Sequence, residues 1–543
     1  MEVKKEEIRP LANFQPSLWG DQFLVFDDQQ EDQATLEKII ERLKEEVQKE
    51  ILIAMDDVTK HTNLLKLVND IKRLGVAYLF EQEIEHALHH IYKTYGDDWN
   101  GGSDALCMFL YTVSDIFNKC KDNEGSFKKS LTSDVQGMLE LYEATYMRVR
   151  GEVILDDTLV FTKDQLQKIT KDPLRWNCSL SLSKHIEEAL ERPIWKRLPR
   201  LDALRYIPFY EQQDSHDESL LRLAKLDFNR LQSLHKKELS QLSKWWKGLD
   251  PPKNLHYIRD RLVEIYFWAL GVYFEPQYSR SRIFLTKVIK MAAILDDTYD
   301  SYGTYEELEI FTEAIQSWSI TCMDALPDYM KITYKILLDC YCELEEIMAT
   351  EGKTYQVYYA KESIKELSRC YMIEAKWCHE DYVPTTEEHE SVTFISCCYV
   401  MITTASFMSM GDIVTEESFK WAVCNPPLVK ASSAINRIMD DTVGHKEEQQ
   451  RKHVVSTVEC YMKEHDVKEE YVYDVFKQRV EDAWKDMNEE LFVCKDIPMI
   501  LKLRVVNLAR IMDTLYQYDD TLKFVGEELQ GYIKSCFINS LSV

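Results

Sequence analysis

The segment 296–300, which reads Asp-Asp-Thr-Tyr-Asp, carries the residue types best suited to metal chemistry. It follows the mostly apolar run 283–293, which predicts that it lies at one end of a buried helix. Spacings of three and four residues place Asp296, Asp297 and Asp300 on one side of such a helix. Because like charges repel unless a cation lies between them, the segment predicts a magnesium site completed by water and a substrate phosphate.

A second acidic segment, 436–448, lies further along the chain. Asp440, Gly444 and Glu448 recur every four residues and therefore share one helical face. Arg437 lies one turn before Asp440 and could reach the same anion. Two such helix ends could hold metal ions and a diphosphate between them.

Arg259 and Arg261 stand two residues apart in the segment 257–261, before the first acidic segment. Guanidinium groups pair bidentately with phosphate oxygens, so this spacing suits a loop that closes over an anion. Each of the three segments alone also fits a solvated helix face or a surface loop, because acids make up 93 of the 543 residues. Together they predict a metal–diphosphate site that would stabilise a departing diphosphate electrostatically.

The elements that position these residues are predicted to be helices, and the fold class to be all-α. Only 16 glycines and 14 prolines interrupt the chain, and apolar residues recur at helical spacing in 36–51 and 220–234. The length exceeds one hydrophobic core and predicts two domains. Three prolines and a polar run indicate the boundary, giving an extended segment 1–30, an N-terminal helical domain 31–218 and a C-terminal catalytic domain 219–543.

Composition narrows the class of protein. A net charge of −27 argues against nucleic-acid partners and anionic membrane surfaces. The 14 cysteines form no Cys-x-x-Cys, which favours reduced thiols over a zinc site. The uncharged segment 391–411 has the length of a membrane span, but its seven Ser and Thr residues favour a buried helix that lines a cavity.

The arginine pair and the two acidic segments together resemble the plant terpene synthases. Four further stretches strengthen the resemblance, and they are Arg9-Pro10 with Trp19, Arg-Leu-Gly at 73–75, Leu-Tyr-Glu-Ala at 141–144 and Tyr-Phe-Trp at 266–268. The match runs from about residue 9 to 540. It implies an N-terminal helical barrel domain and a C-terminal class I domain whose cavity holds three Mg²⁺ ions, for which Mn²⁺ can substitute.

The resemblance also implies roles for individual residues. Asp296, Asp297 and Asp300 would bind one part of the metal cluster, while Asp440, the Gly444 position and Glu448 would bind the remaining ion. The diphosphate would be held by Arg259, Arg261 and Arg437. The segment around Arg9 and Trp19 would fold back and cover the mouth of the active site.

After ionisation, an aromatic pocket would hold the allylic cation away from water. Trp268, Tyr516 and Phe407 are the candidates for its wall, although Phe407 also fits an ordinary core position. Asp520 would pair with Tyr516 as an orienting group or a proton relay. The chain lacks the Asp-x-Asp-Asp motif of cyclases that start by protonation, so the resemblance implies initiation by ionisation.

Four features depart from the family pattern. Gly444 stands where most relatives have Ser or Thr, which removes a hydroxyl ligand, and Arg-Lys at 451–452 replaces Arg-Gly. The C-terminal loop 516–521 lacks a second tyrosine, and the stretch 100–117 is several residues shorter than in relatives.

The resemblance begins almost at Met1, which favours a cytoplasmic enzyme acting on farnesyl diphosphate and releasing diphosphate and a C15 hydrocarbon. The most similar relatives are expected among caryophyllene-type and other daisy-family sesquiterpene synthases. A monomer without membrane insertion is expected. Two alternatives stay open, namely a monoterpene synthase acting on geranyl diphosphate and a degenerate homologue without catalysis.

Overall fold

The structure is a computed structural model, and it describes residues 14–26, 33–95, 121, 127–449, 453–517 and 520–543. Within these ranges the regular structure is helical, and the only β-pairing is an isolated bridge between Lys121 and Phe127. The predicted all-α fold class is thereby confirmed. The predictions for Arg9, Pro10, the short stretch 100–117 and Arg451-Lys452 lie outside the described residues.

The chain divides into two compact units. One comprises Met1–Phe26 with His235–Ile533, and the other Asp27–Leu234 with Lys534–Val543. The helix Glu218–Gly248 begins at the boundary predicted from the sequence. The division between the two compact units lies within that helix, between Leu234 and His235.

The unit built around Asp27–Leu234 has a core of leucine and isoleucine side chains between its helices. Ile40, Leu43, Val47 and Ile51 are buried on one face of its first helix, as their spacing predicts. The α-helices before Glu218–Gly248 are Gln33–Asp56, His61–Arg73, Glu81–Tyr95, Val135–Ala144, Val153–Lys171, Leu180–Glu191 and Pro199–Glu211.

The unit that contains His235–Ile533 carries the predicted chemistry. Every residue of its helix Leu262–Val272 is buried, and so is most of Ser279–Ser301. Its remaining α-helices are Pro251–Asn254, Tyr305–Ser317, Asp328–Thr350, Thr354–His379, Thr386–Ser396, Tyr399–Ser406, Glu416–Val423, Pro427–Glu448, Thr457–His465, Glu469–Val493, Met499–Leu515 and the start of Glu527–Phe537.

The uncharged segment 391–411 is buried, but it is not one helix. Thr386–Ser396 ends before Cys397, and Tyr399–Ser406 begins after Cys398. Cys398 adopts a left-handed conformation with φ of 72°. Asn436 Nδ2 donates to the Cys397 carbonyl at 3.1 Å. This bond satisfies a carbonyl oxygen at the helix end, where intrahelical partners are missing. Among the described residues, no helix is both long enough and apolar enough to cross a membrane.

Candidate active site

The first acidic segment occupies the last two turns of the helix Ser279–Ser301. Its adjacent carboxylates differ in surroundings, because the side chain of Asp296 is 40% exposed and that of Asp297 only 1%. Asp296 and Asp300 are one helical turn apart and both line the same cavity. Burial raises the pKa of Asp297 to about 6, against the opposing effect of Arg259.

The second acidic segment repeats this arrangement in the helix Pro427–Glu448. The Asp440 side chain is 33% exposed and that of Asp441 is 4% exposed. Asp441 accepts a hydrogen bond from Arg437 Nη1 at 2.9 Å and another from the Thr457 backbone N–H at 2.6 Å. Gly444 is buried one turn further along, and Glu448 is the last residue of the helix.

The two aspartates of each acidic pair therefore differ in exposure and in hydrogen bonding. The first aspartate of each pair is partly exposed on the cavity wall, and the second is buried and holds an arginine. Asp297 also borders the cavity, and its role as a metal ligand stays a prediction. Its Oδ2 accepts from the Arg259 backbone N–H at 2.7 Å and its Oδ1 from Arg259 Nε at 2.8 Å. This geometry makes Asp297 the anchor of Arg259.

Arg259 is attached to both members of the first pair. Its Nη2 also donates to Asp296 Oδ2, so the guanidinium lies between the buried and the exposed carboxylate. The ring of Phe14 lies 5.3 Å from the guanidinium carbon. Arg259, Arg437 and the aspartates Asp296 and Asp440 all border one cavity, so cations suited to phosphate and carboxylates suited to metal ions converge there.

Arg261 also borders the cavity, but its donors are engaged by main-chain oxygens. Nε donates to the carbonyl of Leu522 at 2.9 Å and Nη2 to that of Lys523 at 3.0 Å. Nη1 donates to the carbonyl of Gln15 at 2.8 Å. One buried guanidinium thus joins the N-terminal segment to the C-terminal loop.

The N-terminal segment is fixed at a second point. Trp19 is buried, and its Nε1 donates to Glu264 Oε1 at 2.7 Å. Burial raises the pKa of Glu264, whose Oε2 has no hydrogen-bond partner among the described residues. The described part of the segment also contributes Phe14 to the cavity wall.

The cavity has an empty volume of about 1410 Å³, its open mouth included. The cavity is lined by apolar and aromatic residues as well as by charged ones. The apolar and aromatic residues include Ile265, Trp268, Ile289, Ala292, Tyr299, Tyr371, Ile402 and Tyr516. The predicted Trp268 lies on this wall, and its ring centroid is 6.3 Å from that of Tyr399.

Phe407 does not border the cavity in the described part of the chain. It is fully buried, and its ring stacks on Trp421 at a centroid distance of 6.3 Å. Its position corresponds to the ordinary core role that the sequence left open.

Tyr516 and Asp520 both border the cavity at the end of the helix Met499–Leu515. Burial raises the pKa of Tyr516 well above its usual value, so its hydroxyl stays protonated. The Asp520 carboxylate accepts hydrogen bonds from the backbone N–H groups of Leu522 and Lys523, at 3.0 and 3.1 Å. In the described residues this carboxylate shapes the C-terminal loop.

The cavity residues that sequence reasoning missed include Tyr371, Glu374 and Cys398. The Tyr371 hydroxyl and Cys398 Sγ are 3.1 Å apart. Burial raises the pKa of Glu374 to about 7, although Arg437 opposes this shift. No local motif marks these positions, because they come from a long helix and from a helix break that only the tertiary structure brings to the cavity.

Among the described residues, no three acidic, histidine or cysteine side chains already form a metal site. The donor chemistry nevertheless fits hard divalent cations, because Asp296, Asp300 and Asp440 offer carboxylate oxygens to one cavity. The side chain of Glu448 is not described.

The chain matches two family models. Residues 247–486 match "Terpene synthase family, metal binding domain", and residues 18–190 match "Terpene synthase, N-terminal domain". A sesquiterpene synthase of Xanthium strumarium is 70% identical over 549 residues, covering 100% of both chains. An alpha-isocomene synthase of Matricaria chamomilla var. recutita is 54% identical over 547 residues, again covering 100% of both.

Solved structures agree with these sequence matches. The isoprene synthase of grey poplar, in complex with three Mg²⁺ ions and dimethylallyl-S-thiolodiphosphate, aligns with a TM-score of 0.85 at 27% identity. The alignment covers 94% of this chain and 98% of that one. Both family domains, full-length relatives and a shared fold lead to one conclusion: the chain belongs to the terpene synthase family and is a lyase of the sesquiterpene synthase type.

Proposed function

We propose that this enzyme ionises farnesyl diphosphate in the cavity bordered by Asp296 and Asp440, and cyclises the resulting cation to a C15 hydrocarbon with release of diphosphate. One observation carries the proposal. Two helices each present a partly exposed carboxylate at the cavity, and a buried carboxylate of each helix holds an arginine beside it. The remaining wall of the cavity is largely apolar and aromatic. The 70% identical sesquiterpene synthase supports a C15 substrate.

Three Mg²⁺ ions are the proposed cofactors, by analogy with the three ions of the poplar isoprene synthase complex. Asp296 and Asp300 would hold ions on one side, and Asp440 with the Gly444 and Glu448 positions would hold the remaining one. When bound, the ions neutralise charge that develops on the departing diphosphate. Mn²⁺ prefers similar oxygen donors and would substitute.

The arginines would have different tasks. Arg259 and Arg437 border the cavity from opposite acidic pairs and would contact the diphosphate oxygens. Because Asp297 and Asp441 hold them in place, little reorganisation would be needed as charge develops. Arg261, with all three guanidinium nitrogens bonded to main-chain oxygens, would instead keep the N-terminal segment and the C-terminal loop over the cavity.

The apolar wall would control the cation after ionisation. Trp268 and Tyr299 border the cavity and offer ring faces to positive charge. Phe14 and Trp19 belong to the segment that we propose as a cap against solvent. Tyr516, whose protonated hydroxyl lies on the same wall, would orient the cation, and Asp520 would do so indirectly through the loop that it shapes.

The test is incubation of purified protein with farnesyl diphosphate and Mg²⁺, with the hydrocarbon extract analysed by gas chromatography–mass spectrometry. We expect a cyclic C15 hydrocarbon that disappears on addition of a chelator, and a lower kcat/KM for geranyl diphosphate. A preference for geranyl diphosphate would instead establish a monoterpene synthase. Folded protein that releases no hydrocarbon from either substrate would contradict the proposal and establish a homologue without catalysis.

The cytoplasmic location, the monomeric state and the absence of nucleic-acid partners remain predictions of the sequence. A fluorescent fusion of the full chain checks the cytoplasmic location. Light scattering of the purified enzyme checks the monomeric state. An electrophoretic mobility assay with DNA and RNA checks the absence of nucleic-acid partners. We expect the mobility of the nucleic acid to stay the same, because the net charge of −27 repels phosphate backbones.

A further inference from the structure

Lys290 is a buried lysine behind the cavity wall. It lies in the helix Ser279–Ser301, its exposed fraction is 0%, and it does not border the cavity itself. Its Nζ donates to the backbone carbonyl of Arg259 at 2.5 Å. The same nitrogen lies 4.3 Å from the centroid of the Trp246 ring.

The surroundings of this ammonium group are unusual for a buried charge. Among the described residues, no carboxylate oxygen lies within 4.0 Å of Lys290 Nζ, so its close contacts are the Arg259 carbonyl and the ring face of Trp246. Burial lowers the pKa of Lys290 to about 8, which leaves the group mostly protonated at neutral pH. Burying a cation without an ion-pair partner costs free energy. The groups that Lys290 contacts therefore indicate what its charge does.

Lys290 and Asp297 hold opposite ends of the same residue. They are seven residues apart, two turns along one face of the helix. Asp297 accepts from the Arg259 backbone N–H at 2.7 Å, and Lys290 donates to the Arg259 carbonyl at 2.5 Å. With both main-chain groups fixed to one helix, the direction of the Arg259 side chain is set relative to the acidic pair.

The residues that flank Arg259 are held as well. Trp246 Nε1 donates to Asp260 Oδ1 at 2.9 Å, so the ring that faces Lys290 also fixes the next residue of the loop. The Tyr257 hydroxyl lies 3.0 Å from Thr298 Oγ1. The loop is thus tied to the helix and to Trp246 by contacts within the protein itself.

We propose that Lys290 is a positioning residue that fixes Arg259, and through it the diphosphate of the substrate. This inference rests on the proposed function, since it assumes that Arg259 contacts diphosphate. Lys290 would act without touching the substrate, by holding the main chain of Arg259.

Lys287 supplies a matched control on the same helix. It is one turn before Lys290, and its Nζ lies 5.5 Å from the ring of the neighbouring Trp245. It pairs with Glu343 at 2.6 Å and is not bonded to the arginine loop in the described structure. A change at Lys287 therefore removes a lysine–tryptophan contact of the same kind without releasing Arg259.

The experiment measures the affinity for inorganic pyrophosphate in the presence of Mg²⁺ by calorimetry, together with kcat and KM for farnesyl diphosphate. We expect Lys290→Met to weaken pyrophosphate binding and to raise KM by about 10-fold, the worth of one well-placed hydrogen bond. Lys287→Met should stay within about 2-fold of the unchanged enzyme, because Lys287 Nζ bonds to Glu343 and not to the arginine loop. The product pattern should not change, because the apolar wall is intact.

A double-mutant cycle separates positioning from a general loss of structure. In an Arg259→Met background, Lys290→Met should have no further effect on pyrophosphate affinity, because the group that it positions is gone. Additive losses, or a Lys290→Met enzyme that binds pyrophosphate as the unchanged enzyme does, would overturn the inference. If Lys290→Met does not melt cooperatively, Lys290→Gln takes its place in the same cycle, with the same expectations.

The two proposals fail in different ways. An unchanged enzyme that neither binds pyrophosphate nor releases hydrocarbon contradicts the proposed function, and with it the premise of this inference. An active enzyme whose pyrophosphate affinity is indifferent to Lys290 contradicts only the inference.

Discussion

Asp296 and Asp297 are neighbours in sequence and both border the cavity, yet the Asp296 side chain is 40% exposed whereas that of Asp297 is buried against Arg259. Successive residues of an α-helix point about 100° apart, so two adjacent carboxylates cannot face one metal ion equally well. Asp440 and Asp441 show the same division. The spacing of four residues predicted the cavity-facing Asp296 and Asp300, but the anchoring role of the second aspartate depends on an arginine that only the folded chain brings close.

We expect Asp297→Ala to lower kcat/KM by about 100-fold or more, because it removes two charge-assisted acceptors of Arg259. The helical content, measured by circular dichroism, should be unchanged. Asp296→Ala serves as the comparison, since it removes a partly exposed cavity carboxylate. It should raise the Mg²⁺ concentration needed for half-maximal rate, and rates like those of the unchanged enzyme in both variants would refute the assignment of the acidic segment.

Gly444 offers a test of the metal site on the second helix. Gly444→Ser should lower the Mg²⁺ concentration for half-maximal rate, because a hydroxyl would then stand between Asp440 and Glu448 on the same helical face. Gly444→Ala is the matched control, since it fills the same helix position without an oxygen. If both variants show the Mg²⁺ dependence of the unchanged enzyme, water or the backbone already occupies that position.

At the scale of elements, the amphipathic helices were predictable and the break within the uncharged segment was not. Leucine and isoleucine at three- and four-residue spacing mark buried faces, as in Gln33–Asp56. The break at Cys397–Cys398 contains neither glycine nor proline. The left-handed Cys398 contacts the Tyr371 hydroxyl through its Sγ, and the carbonyl of the preceding Cys397 accepts the hydrogen bond from Asn436. Such tertiary contacts leave no local signal in the sequence.

Arg261 connects two elements, the N-terminal segment and the C-terminal loop. Arg261→Met should therefore speed amide hydrogen exchange in residues 14–26 and 520–524 by about 10-fold, because it releases three main-chain acceptors. Its effect on pyrophosphate affinity should be smaller than that of Arg259→Met. Lys247→Met, which removes only the exposed ion pair with Asp21, should leave exchange unchanged. A large loss of pyrophosphate affinity with unchanged exchange would restore Arg261 as a direct ligand.

At the scale of the whole molecule, the unit without the cavity contains a buried polar network of its own. Arg73 Nε and Arg197 Nη1 contact Asp202 at 3.3 and 2.9 Å, and the Ile194 backbone N–H donates to Glu143 at 2.8 Å. Against the effect of burial, Arg73 and Arg197 hold the pKa of Asp202 at about 2. The stability that Asp202 contributes is fully present above its ordinary pKa of 3.8 and is lost as the pH falls from there through about 2.

The pKa of Glu143 is shifted in the opposite direction to that of Asp202, because burial raises it from 4.5 to about 7. Between these values the unfolded chain ionises Glu143 while the folded chain keeps it protonated, so folding stability falls as the pH rises, by up to about 3 kcal/mol. Glu143→Gln keeps a carbonyl acceptor for the Ile194 N–H and removes this titration. Denaturant unfolding at pH 5 and pH 7 should therefore show the variant gaining stability relative to the unchanged enzyme as the pH rises, whereas the exposed Glu187→Gln should show no such gain. An equal pH response in all three proteins would mean that Glu143 is already ionised in the fold at pH 5.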